Sequence, residues 1–352
     1  MLLTSWIHYN FFIAANLKSY ERRAFPKGDL IMKSVQAKKF RTAERVMMGM
    51  ATFIPGLNSV MGKFRKTGGT DSARYCYSVW LRHLVMARCN GLSTYPNVVA
   101  ELGPGDSIGI GLAALISGAE QYFAFDVVKF AAAKNNVQIF DDLVTLFKSK
   151  ESIPNDEEFP QLNPKLDGYD FPGQILSNEW LEIALEPSRL AKIRNSILDL
   201  SSKDCSIQYI VPWFDSKILG VDSVDLIFSQ AVLEHVDNLP HTYQTMYSWL
   251  KPEGFISHTI DFKCHGTATE WNGHWTYTEF IWKLIKGRRT YLLNREPHST
   301  HIGLIKETGF NIMCDKTVHL SSNVKEEDLA APYRNMSKED LQTSGAFILA
   351  TK

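Results

Sequence analysis

The chain carries no excess charge of either sign, no closely spaced cysteine pair and no apolar run long enough to cross a bilayer. Each absence removes a class of function. Lys and Arg together number 38, as do Asp and Glu, so the formal net charge is zero. Proteins that hold nucleic acid ordinarily carry a basic face, and this balance gives no sign of one. The five cysteines, Cys76, Cys89, Cys205, Cys264 and Cys314, are odd in number and far apart, with no CxxC spacing. They indicate neither a zinc site nor a disulfide framework, and a reducing cytoplasm suits them. The N-terminal stretch MLLTSWIHYNFFIAANLKSY lacks a leading basic region, and His8 and Asn10 interrupt it. It makes a poor signal peptide and is too short and polar to span a membrane; Met1 and Met32 both serve as candidate starts. There is no internal repeat and no low-complexity tract.

What is present is the composition of a globular protein with a sizeable core: 45% hydrophobic and 22% charged over 352 residues. The expected organisation is an N-terminal helical extension over 1–94 followed by a main domain over 95–352. Within the extension, Ala73 to Asn90 reads as an amphipathic helix stopped by Gly91. The stretch VMMGMATFIPGLNSVMG, residues 46–62, is broken by Pro55 and flanked by Arg and Lys. It reads first as a helix and turn packed on the main domain. A surface both basic and apolar also suits shallow docking on an anionic membrane face, so residues 46–62 are the expected contact for a peripheral, inner-membrane location.

From Asn97 onward strand-like and helix-like segments alternate, the pattern of a parallel sheet wound with helices. Strands are expected at 97–102, 121–126, 207–211, 224–229 and 254–261, with helices near 108–118, 128–148, 187–199 and 239–250. Two further strands start near Gly309 and Gly345 and form an antiparallel pair. The fold class is therefore α/β, a Rossmann-like, doubly wound and mostly parallel seven-stranded sheet with an antiparallel C-terminal strand. Residues 149–180 are rich in Pro, Asp and Glu and form an insertion between the second and third strands; loops of this length are usually functional or disordered. Arg189, Lys192 and Arg194 read as a solvated helix face.

The stretch NVVAELGPGDSIGIG, residues 97–111, ends a strand in a bend at Gly103 and Gly105 and opens a helix. Such a bend turns backbone N–H groups and a positive helix end toward a ligand. Asp126, at the end of the next strand, suits a ribose diol, each charge-assisted hydrogen bond contributing about 1.5–3 kcal/mol. A dinucleotide and an adenosyl sulfonium both satisfy this much. The dinucleotide fingerprint needs a small residue where this chain has Ile108, and Glu101 would repel a pyrophosphate. The same carboxylate favours a cationic ligand.

ELGPG, then FD, then VDLIFSQAVLEHV, then YSWLKPEGFI resembles the class I S-adenosylmethionine-dependent methyltransferases of the type 11-like group, over roughly residues 95–262. The resemblance implies S-adenosyl-L-methionine as cofactor. Glu101, Gly103, Gly105 and Ser107 would line its methionine part, Asp126 would hold the ribose between Phe125 and Val127, and Ser229 and Gln230 would face the sulfonium. Ser107 stands where the family has a third glycine. Trp213, where an acidic residue often meets the adenine, would offer an aromatic face instead. No metal is expected, since Ala231 occupies the place of the acidic partner some relatives use.

For an alcohol acceptor the candidate bases are His235 in LEHV, and Asp261, His265 and His274 in the loop that follows the fifth strand. That substrate loop, over 260–302, also holds Trp271, Trp275 and Glu270, with Asn294, Arg295, His298 and His301 as further polar lining. The expected reaction is O-methylation of a small molecule or a sugar or glycan, resembling bacterial enzymes that modify surface glycans. A nicotinamide-dependent oxidoreductase and a non-catalytic binding subunit are the alternatives. The oligomeric state is not legible in the sequence.

Overall fold

The computed structural model describes residues 42–54, 69–127, 133–199, 205–213, 216–289 and 292–352. The expectations for the leader and start, and the part of 46–62 beyond residue 54, lie outside these. In chain order the elements are α1 (42–51), α2 (Ala73–Cys89), β1 (Val98–Leu102), α3 (Gly109–Ile116), β2 (Gln121–Phe125) and α4 (Ala133–Ser149). Then come α5 (Asn178–Ala184), α6 (Pro187–Leu198), β3 (Ile207–Ile210), β4 (Val224–Gln230), α7 (Leu239–Trp249) and β5 (Leu250–Asp261). The chain closes with α8 (Glu279–Lys286), α9 (His298–Thr308), β6 (Asn311–His319), α10 (Lys338–Gln342) and β7 (Thr343–Thr351).

The seven strands form one sheet in the order β3-β2-β1-β4-β5-β7-β6. β1 to β5 pair in parallel, while β7 runs antiparallel to both β5 and β6. The order reverses between β1 and β4, and ligands of open α/β sheets bind at the carboxyl edge beside such a switch. This is the expected fold, including the antiparallel C-terminal pair. One boundary differs. β5 begins at Leu250, directly after α7, because Leu250 already pairs with Val224; the register then shifts, and Glu253, at φ +66°, takes up the irregularity.

Alternation along the strands divides the core between the two faces. Val99, Tyr122, Ala124, Phe228 and Phe255 pack toward α2 and α3, while Leu102, Phe125, Ile227 and Ile256 pack toward α7 and α9. α3 is buried along its whole length. Its close fit depends on glycine: a Cβ at Gly111 would lie 2.0 Å from the Tyr122 ring, and one at Gly109 would lie 2.5 Å from Cys76 Sγ. The small residues that bring helix to strand thus stand after Ile108 rather than at it.

α2 is an integral layer. The Ser72 hydroxyl accepts the Tyr75 N–H at its start, and Trp80, His83 and Cys76 are buried on its inner side. His83 Nδ1 meets Ser257 Oγ on β5 at 2.6 Å. The 149–180 insertion is an ordered strap around this helix. Arg82, fully buried, reaches the carbonyls of Pro164 at 2.6 Å and Pro154 at 3.1 Å, the Ser78 hydroxyl at 3.1 Å and Asp156 at 3.3 Å. Its guanidinium lies over the Tyr169 ring, and Thr259 Oγ1 donates to the Asn163 carbonyl at 3.3 Å.

Arg189 corrects the reading of α6 as a plain solvated face. It is partly buried and donates to the carbonyls of Leu115, Ala119 and Ala184. The last carbonyls of α3 have no partner within the helix, and a cation satisfies both their hydrogen bonding and their partial charge.

Candidate functional site

The carboxyl ends of β1, β2, β4 and β5 bring most of the expected residues to one edge. Gly103 takes φ +63° and Gly105 φ +77°, conformations that L side chains rarely adopt. The Gly103 N–H donates to the Phe125 carbonyl at 2.8 Å, and a Cβ there would lie 2.7 Å from Val232. The bend therefore admits no side chain at that position.

Glu101 lies beneath the bend, buried, and accepts a hydrogen bond from the Tyr122 hydroxyl. Burial pushes its carboxyl up to about 8, against the Tyr122 hydrogen bond and with help from the nearby charge of Asp126. A cation bound beside the bend favours the ionised form and releases this proton. Affinity for a cationic donor is thus expected to rise as pH climbs toward 8, by at most about ten-fold per unit, and to level off above it. Calorimetry in buffers of different ionisation enthalpy measures the proton released, and Glu101→Gln removes it; the same proton release from the variant would assign it to another group.

Asp126 is buried at the end of β2, where its Oδ1 accepts the Val127 N–H at 2.7 Å. Val127 itself is exposed. Trp213 is half-buried, its ring 5.6 Å from Phe125 and 5.7 Å from Trp249, and its backbone N–H donates to the Asp126 carbonyl at 3.2 Å. It stands beside Asp126, as an adenine face requires. Gln230 is half-buried at the end of β4, with its amide oxygen buried and unpartnered among the described residues.

Three residues expected at the cofactor are turned elsewhere. The Phe125 ring is in the core, 4.9 Å from Trp249, so only its backbone reaches the bend. Ser229 is buried on the opposite face of the sheet, its hydroxyl 2.8 Å from His258 Nδ1. Ser107 is buried under the N-terminal segment: its hydroxyl donates to the Thr70 carbonyl and accepts the Gly109 N–H at 3.0 Å, and its own N–H donates to Thr70 Oγ1 at 3.2 Å. The hydroxyl that replaces the third glycine thus satisfies the first N–H of α3.

On the acceptor side, Asp261 and His265 pair, Oδ2 to Nε2, at 3.3 Å. Burial works to raise the Asp261 carboxyl, but His265 and Lys263 together hold it down to about 2. Lys263 donates to it from both its backbone and its ammonium, each at 2.9 Å. His265 has φ +45° in a tight turn with Gly266, and the His235 ring stands 5.2 Å from its own. Strained backbone of this kind persists where the surroundings impose it, often at functional sites.

His274 is not part of this group. It is buried 4.5 Å from the Trp275 ring, and desolvation, with Arg295 behind it, pushes its imidazole down to about 3. A general base works best with a pKa near the operating pH, which His274 lacks. The other expected lining residues hold the loop together. Arg295 donates to the carbonyls of His274 and Tyr277 and to Glu279, Asn294 to those of Leu233 and Val236, His301 meets Tyr243, and His298 meets Asp315.

Glu234 was missed. It is buried, and neither carboxylate oxygen has a hydrogen-bond partner among the described residues. Burial, and then the neighbouring charge of Asp261, push its carboxyl well above the usual carboxylate range. The LEHV segment held the signal, but hydrophobic spacing does not show which way an acid in a short turn faces. Among the described residues no group of three or more His, Cys, Asp or Glu is placed to hold a metal.

The family model described as a methyltransferase domain matches residues 182–257, from α5 into β5. No curated protein matches the chain. Similar solved structures include an S-adenosylmethionine-dependent methyltransferase from Mesorhizobium loti, at 12% identity and TM-score 0.36 over 73% of this chain and 91% of that one. A putative sarcosine dimethylglycine methyltransferase from Galdieria sulphuraria matches at 12% and 0.39, over 77% and 83%. Phosphoethanolamine N-methyltransferase 2 of Haemonchus contortus, in complex with S-adenosyl-L-methionine, matches at 15% and 0.39, over 78% and 52%.

The matched domain, the sheet order and the acidic, glycine-bent edge define the class: this is an S-adenosylmethionine-dependent methyltransferase, with that sulfonium as its cofactor. The site fits the group, with a bend that excludes a Cβ at Gly103, an unpartnered amide oxygen at Gln230 and a poised acid at Glu101. The oxidoreductase alternative gives way to this assignment. Within the class, the acceptor is what distinguishes one enzyme from another.

Proposed function

We propose that the enzyme methylates a hydroxyl group of a small molecule or a sugar, glycans and lipid-linked sugars included. The observation that carries this reading is the His265–Asp261 pair at the end of β5. A hydroxyl needs its proton removed as the new bond forms, and an imidazole oriented by a carboxylate does this near neutral pH.

When bound, S-adenosylmethionine supplies an electrophilic methyl carbon on a cationic sulfur. Gly103, Gly105 and Asp126 would hold its methionine and ribose parts, Trp213 would offer its ring to the adenine, and Gln230 would meet the reacting end. Asp261 keeps His265 in the tautomer protonated at Nε2 and stabilises the imidazolium. Nδ1 of His265 takes the acceptor's proton. Glu234 is buried beside this pair with both carboxyl oxygens unpartnered among the described residues. Positioning of the acceptor in line with the methyl carbon supplies much of the remaining rate enhancement.

Incubation with methyl-labelled donor and a panel of alcohols, sugars and amines tests the reading. Label is expected in an ether; label on nitrogen or carbon would rule hydroxyl transfer out. The cofactor side is tested separately. Asp126→Ala is expected to weaken binding of S-adenosylhomocysteine by about 10–100-fold in calorimetry, through loss of one or two hydrogen bonds. Unchanged affinity would remove Asp126 from the ribose site.

A further inference from the structure

α1 leaves large apolar side chains in solvent. Its inner side is occupied by close contact with α8: a Cβ at Gly49 would lie 2.0 Å from the Leu284 carbonyl oxygen. Val46 packs on the cluster of Trp282, Ile285, Leu292 and Leu293, and Thr52 Oγ1 accepts the Arg288 N–H at 2.8 Å. With the helix pinned this way, Met47 (62% exposed), Met50 (47%), Phe53 (47%) and Ile54 (58%) face outward at near-helical spacing. α8 adds Phe280, 70% exposed. Burying this many large side chains would be favourable, so their common exposure marks a surface that meets something.

The charges around them are mainly positive. Arg45, Lys283, Arg288 and Arg289 belong to the same two helices and the turn after α8, and the Arg288 guanidinium lies 5.2 Å over the Phe53 ring. The acids nearby are Glu44, Glu279 and Asp237; Glu279 is engaged by Arg295, and Asp237 pairs with Lys286 of α8 at 2.5 Å. Apolar side chains that enter the acyl boundary, with cations left at headgroup level, are the composition of an interfacial anchor. No helix among the described residues is long and apolar enough to cross a membrane.

We propose that α1 and α8 form a docking face for an anionic lipid bilayer. Arg295 joins that face to the chemistry, because it binds Glu279 at the start of α8 and the carbonyls of His274 and Tyr277 in the loop that carries His265. Docking therefore brings the loop to the membrane surface, where a lipid-linked hydroxyl is presented.

Vesicle flotation of the full chain, with neither donor nor acceptor, tests docking apart from the methyl-transfer reading. The protein is expected to float with phosphatidylcholine vesicles holding about 30 mol% phosphatidylglycerol, to bind pure phosphatidylcholine weakly, and to be released by about 0.5 M salt. The triple variant Met47→Ser, Met50→Ser, Ile54→Ser is expected to lower partitioning at least about ten-fold, and Lys283→Glu about five-fold. Both should keep the wild-type melting temperature, since these side chains are exposed. Three results would overturn the proposal: no flotation; flotation unaffected by either variant; or a concentration-dependent dimer in light scattering that the triple variant abolishes, which assigns the face to a second copy of the chain.

Discussion

His265→Ala is expected to lower turnover by about 10²–10⁴-fold, the usual contribution of a positioned general base, while leaving affinity for S-adenosylhomocysteine near that of the wild type. The separation follows from the structure: His265 stands at the end of β5 with Asp261, while the glycine bend and Asp126 belong to β1 and β2. Asp261→Asn is expected to act in the same direction, because an amide no longer favours the Nε2-protonated tautomer or stabilises the imidazolium. Wild-type turnover in His265→Ala would leave His235, the neighbouring ring, as the base. A drop in which donor affinity falls equally would show that the turn at His265 and Gly266 serves folding alone.

The largest effect on stability is expected at Arg82. Arg82→Ala should destabilise the protein by about 3–5 kcal/mol, measured from denaturant midpoints at constant slope. The substitution removes a buried side chain, leaves a cavity, and deprives the Pro154 and Pro164 carbonyls of their donor. Little of the loss comes from the ion pair with Asp156, whose carboxylate is well exposed and shares Lys165. Arg82→Lys keeps the charge but not the planar fork, so it should recover only part of the loss. A change below about 1 kcal/mol would mean that the strap holds without its anchor.

The sheet was legible because its strands are short apolar runs set between turn residues, a signal that tertiary contacts reinforce. The boundary of β5 was not, since Lys251, Pro252 and Glu253 look like a loop and fall within the strand only because Leu250 ahead of them pairs with Val224. Residue types at the site were also legible: Gly103, Gly105, Asp126, Gln230, Asp261 and His265 gather at one edge. What alternation alone leaves open is direction. Ser229 and Gln230 are neighbours in sequence but face opposite sides of the sheet, so only one reaches the donor side. His274 reads as a candidate base and Arg295 as polar lining because titrating and aromatic side chains crowd this loop; here their burial serves the loop itself. Arg189 shows the same difficulty in reverse, a charge on a helix surface whose partners lie on another helix distant in sequence.

The contact between Ser107 and Thr70 has a further consequence. Thr70 precedes α2, and it fastens that helix to the first turn of α3, immediately behind the bend that receives the donor. Proteolytic trimming up to residue 72 would strip this fastening and uncover a serine that the rest of the sheet does not hold. Under the proposed donor site, the segment ahead of α2 is mechanically joined to the bend, so a trimmed protein is expected to retain its sheet and bind the methionine end of the donor more weakly.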